Sequence, residues 1–406
     1  MKAQQRRLPL LAWIFIAIVL GIVLSLFAPD WFGRGAATFT GLFGNFLGFF
    51  VPVLIFALIT PAIANLGQGA GKWFGATAGL AYVSTILSGL LAWAVSQSVY
   101  PWLLKGQSMV QAPDIDKGAL APYFTVEMPA PMEVMAALLL AFSVGIAMAN
   151  IGAKTLQAGA NELRDVVMKV IEAFVIPLLP VYIFGVFLTM GMNGNLKFVL
   201  VAFAKVLILA TIMTWVVLIL QYLVAGAVAG RNPFKALRNM LPAYFTALGT
   251  ASSAATIPVT YKSTRKNGVS ESVAGFVVPL CATVHLSGSM MKIGLFAFSV
   301  MFLTNTPLTP GAALGFIFLL GVMMVAAPGV PGGAIMAAVG LLESQLGFDE
   351  SQVALMIAAY VAIDSFGTAC NVTGDGAIAM MINRFAKGEL GNNERATTDG
   401  AAVVQQ

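Results

Sequence analysis

Charge is what this chain has least of. Only 10% of its 406 residues are Asp, Glu, Lys or Arg, while 59% are hydrophobic and the mean hydropathy is +0.89. A soluble globular domain carries about 25% charged residues, so that class is excluded. Alternating ten-residue segments are missing as well, which excludes an outer-membrane barrel; the apolar runs are about 20 residues or longer and read as helices. Cysteine is almost absent. Cys281 and Cys370 lie in apolar segments without metal-ligand spacing and read as small core residues. The net charge of +5, from 22 basic and 17 acidic residues, marks cytoplasmic loops in such a protein rather than nucleic-acid binding. Lys2, Arg6 and Arg7 precede an apolar run, as in a signal peptide. That run, from Leu8 to Ala28, is too long for an h-region and has no clear small-residue cleavage site, so a first transmembrane helix is expected.

Eight spans are expected, at roughly 8–28, 39–64, 74–99, 132–152, 166–192, 198–229, 270–303 and 351–384. Two more apolar stretches are interrupted: 233–263 by ALGTASSAATIP (Ala247 to Pro258) and 311–345 by APGVPGG (Ala327 to Gly333). Such backbone is tolerated at membrane depth only where protein buries it or a cavity adjoins it, which predicts two re-entrant hairpins. The basic clusters agree with this count. Lys2, Arg6 and Arg7; Lys72; Lys154, Arg164 and Lys169; Arg231, Lys235 and Arg238; Lys262, Arg265 and Lys266; and Arg384 with Lys387 all fall on the cytoplasmic side if the N-terminus is inside and each hairpin returns to its own side. Both termini are then cytoplasmic in a multi-pass cell-membrane protein. The segment 101–131, with Asp114, Asp116, Lys117 and Glu127, is expected as a long external loop, and 388–406 as a disordered polar tail. The two hairpin-plus-helix units in tandem point to the substrate site of a secondary transporter.

The stretch AIDSFGTACNVTGD (Ala362 to Asp375) carries the chemistry. On a helix, Asp364, Thr368, Asn371 and Asp375 fall within about 60° of one another and form one polar stripe. A carboxylate in a bilayer costs about 2.5–3.5 kcal/mol on insertion scales, so the stripe reads as a binding site; hydrogen-bonded glue between helices is the blander reading, outweighed by two carboxylates with an amide. The Asn371-Val372-Thr373 sequon lies inside a span and is not a glycosylation acceptor. Glu172 and Lys205 read as scaffold or subunit-interface residues.

These elements carry a resemblance along nearly the whole chain. Ser252, Ser253, Ala254, Ala255, Thr256, Ile257 and Pro258 are similar to the serine-rich tip of the first hairpin in the glutamate-transporter-like, or dicarboxylate/amino acid:cation symporter, family. Gly329, Val330, Pro331, Gly332 and Gly333 resemble its second tip, and Asp364, Thr368, Asn371, Val372, Gly374 and Asp375 its last-helix motif. The resemblance implies an all-α membrane fold of eight transmembrane helices plus two re-entrant helical hairpins. It implies a single unit over 1–387, with scaffold helices mainly within 1–230 and a transport core mainly at 233–387 with parts of 74–99 and 166–229. A homotrimer working by an elevator motion in the lipid bilayer is also implied, as is symport of a small-molecule substrate with sodium (Na+), and no enzymatic or nucleic-acid role. Asp364 matches the position that holds a substrate ammonium, Asn371 the one that binds the α-carboxylate, and Asp375 a sodium ligand. Backbone amides of Ser253 and the Gly329 to Gly332 tip, including Val330, complete the carboxylate site; Thr283 and Thr368 join the substrate set.

What is missing from the family pattern is equally informative. Acidic-substrate members carry an arginine where Gly367 stands, and none stands at the first hairpin tip, where Ala251 precedes the serines. A neutral amino acid is therefore the first expectation. The N-M-D-G sodium motif of the seventh helix is replaced by His285, Leu286, Ser287 and Gly288, so a carboxylate is lost at Ser287; Tyr82 and Thr85 have the spacing of its third-helix partners. Lys292 lies seven residues after His285, about 20° away on a helix, and needs a counter-ion, Asp364 or Asp375. Lys292 and His285 are expected to stand in part for a missing sodium, with fewer sodium ions coupled or protons (H+) through His285, whose imidazole has an unperturbed pKa of about 6.5. The competing expectation is that Lys292 lies near Gly367 and binds an acidic amino acid or C4-dicarboxylate in place of the arginine. Other classes fit poorly. An intramembrane aspartyl protease needs two aspartates sharing a proton, whereas Asp364 and Asp375 on one helix stand about 16 Å apart; a passive channel remains the further alternative.

Overall fold

The structure, a computed structural model, describes residues 10–68, 71–106, 120–192, 196–327 and 332–386. Lys2, Arg6, Arg7, Asp114, Asp116, Lys117, Gly329, Val330, Pro331, Lys387 and the expected tail at 388–406 lie outside the described residues. Within them every regular element is helical. These are α1 (Leu10–Ser25), α2 (Asp30–Gln68), α3 (Gly71–Leu103), α4 (Val134–Ile151), α5 (Lys154–Val170), a π-helical turn (Ile171–Val175), α6 (Ile176–Met192), α7 (Leu196–Ala229), α8 (Pro233–Thr250), α9 (Ser253–Lys266), α10 (Glu271–Val284), α11 (Ser287–Leu303), α12 (Pro310–Ala326), α13 (Gly333–Leu346), α14 (Glu350–Ala362) and α15 (Asp364–Ala386). Among the described residues six helical stretches are long and apolar enough to cross a membrane, or seven if α14 and α15 count as one span bent by 60°.

Three of the expected boundaries change. The stretch expected at 166–192 begins earlier, because α5 runs through the π turn into α6. Lys154, Glu162, Arg164, Asp165 and Lys169 hide α5 from an apolar scan, yet Leu156 and Val166 on it are exposed apolar residues, as on a helix lying at a membrane surface. The stretches expected as continuous at 270–303 and 351–384 are each broken, the first at His285 and Leu286 and the second at Ile363. No proline or glycine makes either break. Side chains from elsewhere in the chain bind the backbone beside the breaks: Ser88 Oγ donates to Ser287 O at 2.8 Å, the Gly288 N–H donates to Asn371 Oδ1 at 2.7 Å, and Lys292 Nζ donates to Ile363 O and Asp364 O at 3.1 and 3.3 Å.

Helices α8 and α9 fold back on each other. Asn232 caps α8 by accepting from Lys235 N, Ala251 ends it in the left-handed region at φ 49°, and Ser252 caps α9 by accepting from Ala255 N. Their far ends meet. Arg231 donates to Asn267 O and Gly268 O, and Asn239 Nδ2 donates to Asn267 Oδ1 at 2.8 Å, so the chain leaves α9 where it entered α8. Helices α12 and α13 also pack together, after a Thr309 cap and Pro310 at the first helical position.

Packing sorts the helices into two groups. In one, α2 lies along α4 and α6, and α1 along α6; small residues allow the approach, since a Cβ on Gly145 would meet Thr60 O at 2.9 Å and one on Gly185 would meet Thr40 Cγ2 at 2.6 Å. In the other, α15 is surrounded by α7, α8, α9, α10 and α11, and α11 packs on α3 and α7. The two groups touch where α12 and α13 meet α2 and where α14 meets α1 and α6.

Candidate functional site

The polar stripe lies in the centre of the second group, on α15 from its first residue. Asp364, Thr368, Asn371 and Asp375 are all buried there. Facing them across the helix contact are the ends created by the break between α10 and α11. Three linked clusters result.

At the first, His285 Nδ1 and Asp375 Oδ1 are 2.9 Å apart, both side chains being buried. His285 Nε2 stands 3.1 Å from Ser84 Oγ, and Gln221 Nε2 donates to Ser84 Oγ and to Ser287 Oγ, each at 2.9 Å. Gly374 makes room for this group: a Cβ there would meet Gln221 Oε1 at 2.5 Å and His285 Cε1 at 2.7 Å. Tyr222 from α7 ties the same stretch down through its hydroxyl, which donates to Thr373 O at 2.8 Å.

The second cluster sits on Asn371. Its Oδ1 accepts from Gly288 N and its Nδ2 donates to Ser289 Oγ at 3.1 Å, so the amide caps the start of α11. Ser289 Oγ also accepts from Tyr360 Oη at 3.0 Å. That tyrosine leads to the third cluster, because its ring lies under Lys292, with Nζ 3.9 Å from the ring centroid.

Lys292 is fully buried, and its Nζ is 3.5 Å from Asp364 Oδ1. The other carboxylate oxygen, Oδ2, accepts from the Gly332 N–H at 2.8 Å. Gly332 begins α13 at φ 76°, a left-handed conformation that suits glycine and lets its N–H point at the carboxylate. Gly367 gives the lysine its path. A Cβ at that position would lie 2.2 Å from Lys292 Cε and 2.4 Å from Nζ, so the space beside Gly367 is filled by the lysine of the neighbouring helix.

The remaining expected site residues are placed as follows. Ser252 and Ser253 sit at the junction of α8 and α9, half-buried, with Ser252 Oγ used as the α9 cap. Thr283 is exposed and its hydroxyl returns to Leu280 O, while Thr368 Oγ1 returns to Asp364 O. Val330 is outside the described residues. Tyr82 and Thr85 do not join the cluster at Ser287: Tyr82 Oη donates to Phe318 O on α12, and Thr85 Oγ1 to Ala81 O on its own helix. The α3 residues that do reach it are Ser84 and Ser88, one turn apart on the face turned to α10 and α11. Gln221, Ser289 and Tyr360 were not singled out from the sequence. Gln221 left a signal, an amide in the apolar run LILQYL; Tyr360 and Ser289 left none.

For a cation at Asp375 the donor set is mixed. Among the described residues no three His, Cys, Asp or Glu side chains converge. Oxygen is nevertheless to hand, since Gln221 Oε1 is buried without a partner beside Gly374. A hard cation is held by such oxygens, so the residues present fit a weakly charged sodium site partly filled by an imidazole.

A family model described as the sodium:dicarboxylate symporter family matches residues 10–385. The chain is similar to excitatory amino acid transporter 1 of Homo sapiens, 31% identical over 180 residues, which is 44% of this chain and 33% of that protein. It is similar to an excitatory amino acid transporter of Caenorhabditis elegans, 28% identical over 177 residues, covering 43% and 35% of the two chains. It also resembles C4-dicarboxylate transport protein 2 of Ralstonia nicotianae, 28% identical over 356 residues, covering 80% and 78%. The match thus spans about a third of the length of the excitatory amino acid transporters and most of the bacterial dicarboxylate transporter.

Proposed function

The chain belongs to the sodium:dicarboxylate symporter family, and from that membership we propose that it is a secondary active transporter that brings a small carboxylate-bearing solute across the cell membrane together with a cation. The observation that carries this reading is α15, where two carboxylates and an amide are buried on one face against two helix breaks. Buried ionisable groups of this kind, next to interrupted helices, are what solute and ion sites in transporters are built from. The finer architecture belongs to the same proposal. It has eight spans plus two re-entrant hairpins, α8 with α9 and α12 with α13, and both termini are cytoplasmic. Helices α1, α2 and α4 to α6 form the scaffold of a homotrimer, and α3 with α7 to α15 forms the moving transport core. The separation of the helices into two packing groups supports the last point.

Sodium is the first coupling ion. The loss of a carboxylate at Ser287 and the engagement of Asp375 by His285 support coupling to fewer sodium ions, or to protons, than a fully acidic site would use.

Two cargo readings follow. A neutral amino acid is supported by the missing guanidinium at Gly367 and by Ala251 at the other tip. An acidic solute, such as a C4-dicarboxylate, is supported by the likeness to C4-dicarboxylate transport protein 2 over most of both chains. Uptake into proteoliposomes of a panel of amino acids and dicarboxylates, under separate sodium and proton gradients, tests the proposal. Concentrative uptake that collapses with an ionophore is the expected result. If no solute accumulates under either gradient, the symporter reading is lost, and flux that persists after collapse would identify a channel.

A further inference from the structure

We infer that Lys292 is a tethered ammonium: it occupies, from within the protein, the place on Asp364 that the ammonium of an amino-acid cargo would need, so the solute is a carboxylate without an amino group. The inference rests on the symporter reading and narrows its cargo.

The contacts of Lys292 carry the argument. An ammonium has three N–H donors and no acceptor. Here Nζ faces three acceptors, Asp364 Oδ1 at 3.5 Å, Ile363 O at 3.1 Å and Asp364 O at 3.3 Å, and it lies 3.9 Å from the centroid of the Tyr360 ring. Every partner suits a cation. Its donors are all directed into the protein and the residue is 0% exposed, so no donor is left to clasp a second carboxylate of the cargo as an arginine at position 367 would. The lysine therefore fills the volume of the missing arginine without taking over its task.

Asp364 is satisfied from the same side. Oδ1 faces Lys292, and Oδ2 accepts the Gly332 N–H at 2.8 Å. A carboxylate attracts a substrate ammonium because its charge is uncompensated in a medium of low dielectric; once a buried cation stands beside it, that attraction is cancelled and a second ammonium meets like-charge repulsion instead. The other buried acid of the stripe, Asp375, lies on the far side of Asn371 along α15, with His285 Nδ1 2.9 Å from its Oδ1, and so stands apart from the Lys292 site. Gly367 shows that the arrangement is built in: any side chain on it would collide with Lys292 Cε and Nζ.

Paired solutes of one carbon skeleton test the inference in proteoliposomes: succinate against aspartate, and propionate against alanine, under sodium and proton gradients. The wild-type protein is expected to accumulate the amine-free member of a pair at least about tenfold better. Lys292→Met, which frees Asp364, is expected to narrow that ratio by about tenfold or more by admitting the amine-bearing member. If the variant does not fold, the wild-type ratio decides alone. A wild-type protein that accumulates the amino acid as well as or better than its partner overturns the inference and leaves the symporter reading standing. Accumulation of neither member, nor of any solute in the wider panel, overturns both.

Discussion

The two buried charge pairs on α15 are built from the same kind of acid and behave as opposites. Asp375 faces an imidazole, and around the imidazole stand groups that can turn: Ser84 and Ser287 hydroxyls and the Gln221 amide, whose Oε1 has no partner. Asp364 faces a lysine, and around the lysine stand groups that cannot turn: two peptide carbonyls at a helix break, an aromatic face, and the Gly332 N–H on the other side of the carboxylate. A pair ringed by groups that can turn can part and re-form, while an ammonium held by two peptide carbonyls and an aromatic face is fixed in place. The first pair is thus suited to exchange during a transport cycle and the second to permanence. The contrast lets one helix hold both the ion site proposed at Asp375 and a fixed cation.

The sharpest way to break the contrast is to remove the lysine. Lys292→Met leaves Asp364 buried and uncompensated, which costs about 3–5 kcal/mol when one partner of a buried pair is deleted. A large fall in the detergent-solubilised unfolding temperature should report it, and Asp364→Asn combined with Lys292→Met should recover more than half, because neither charge then remains. Additive losses in the double variant would mean that the two residues are not coupled.

Asp375→Asn is the matching change at the other pair and should be milder. His285 Nδ1 can still hydrogen-bond the new amide, so the expected loss is at most that of one hydrogen bond to a charged group, about 1.5–3 kcal/mol. Its main effect should be functional: the cation concentration needed for half-maximal uptake should rise. If Asp375→Asn unfolds the protein more than Lys292→Met does, the assignment of the fixed and the exchangeable pair is reversed.

A smaller change tests whether the first pair is mobile. A Cβ at Gly374 would press on Gln221 Oε1 at 2.5 Å and on His285 Cε1 at 2.7 Å. Since the Gln221 amide can swing aside, Gly374→Ala should cost only about 1–2 kcal/mol, at the lower end of core overpacking. Cation dependence should shift while the preference between amine-bearing and amine-free solutes stays as it was. A shift of solute preference instead would join the two clusters into one site.

How much of this was legible in the sequence follows from which contacts are local. Asp364, Asn371 and Asp375 stood out because charge inside an apolar run is costly, and their spacing put them on one face whether or not the helix continued before Asp364. The break at Ile363 was invisible, since the side chain that reaches its carbonyl is Lys292, 71 residues earlier in the chain. On α3 the spacing argument chose Tyr82 and Thr85, but a shift of one residue on a helix turns a side chain by about 100°, and Ser84 and Ser88 have the facing positions. Helix α5 escaped an apolar scan because its charged face is as long as its apolar one. The packing of α15 among five helices depends on contacts between distant segments, which neither composition nor period records.

The smallest predicted effect probes the last member of the fixed pair. Gly332 sits at φ 76°, and among the described residues a Cβ there would find only Val361 Cγ2, at 3.7 Å, so none of them obstructs Gly332→Ala. The obstacle is backbone strain, about 1 kcal/mol for an L-residue in the left-handed region. Two outcomes are then distinguishable by the N–H that Gly332 donates to Asp364 Oδ2. If that hydrogen bond holds α13 against α15 through the cycle, the strain appears as a small loss of thermal stability with uptake unchanged. If the bond must open for solute to enter, destabilising it speeds opening, and the initial uptake rate rises by up to about fivefold for 1 kcal/mol. Uptake that falls in step with stability would show that Gly332 is needed at the site for more than its N–H, and the boundary between the fixed pair and the solute would have to be drawn inside α13.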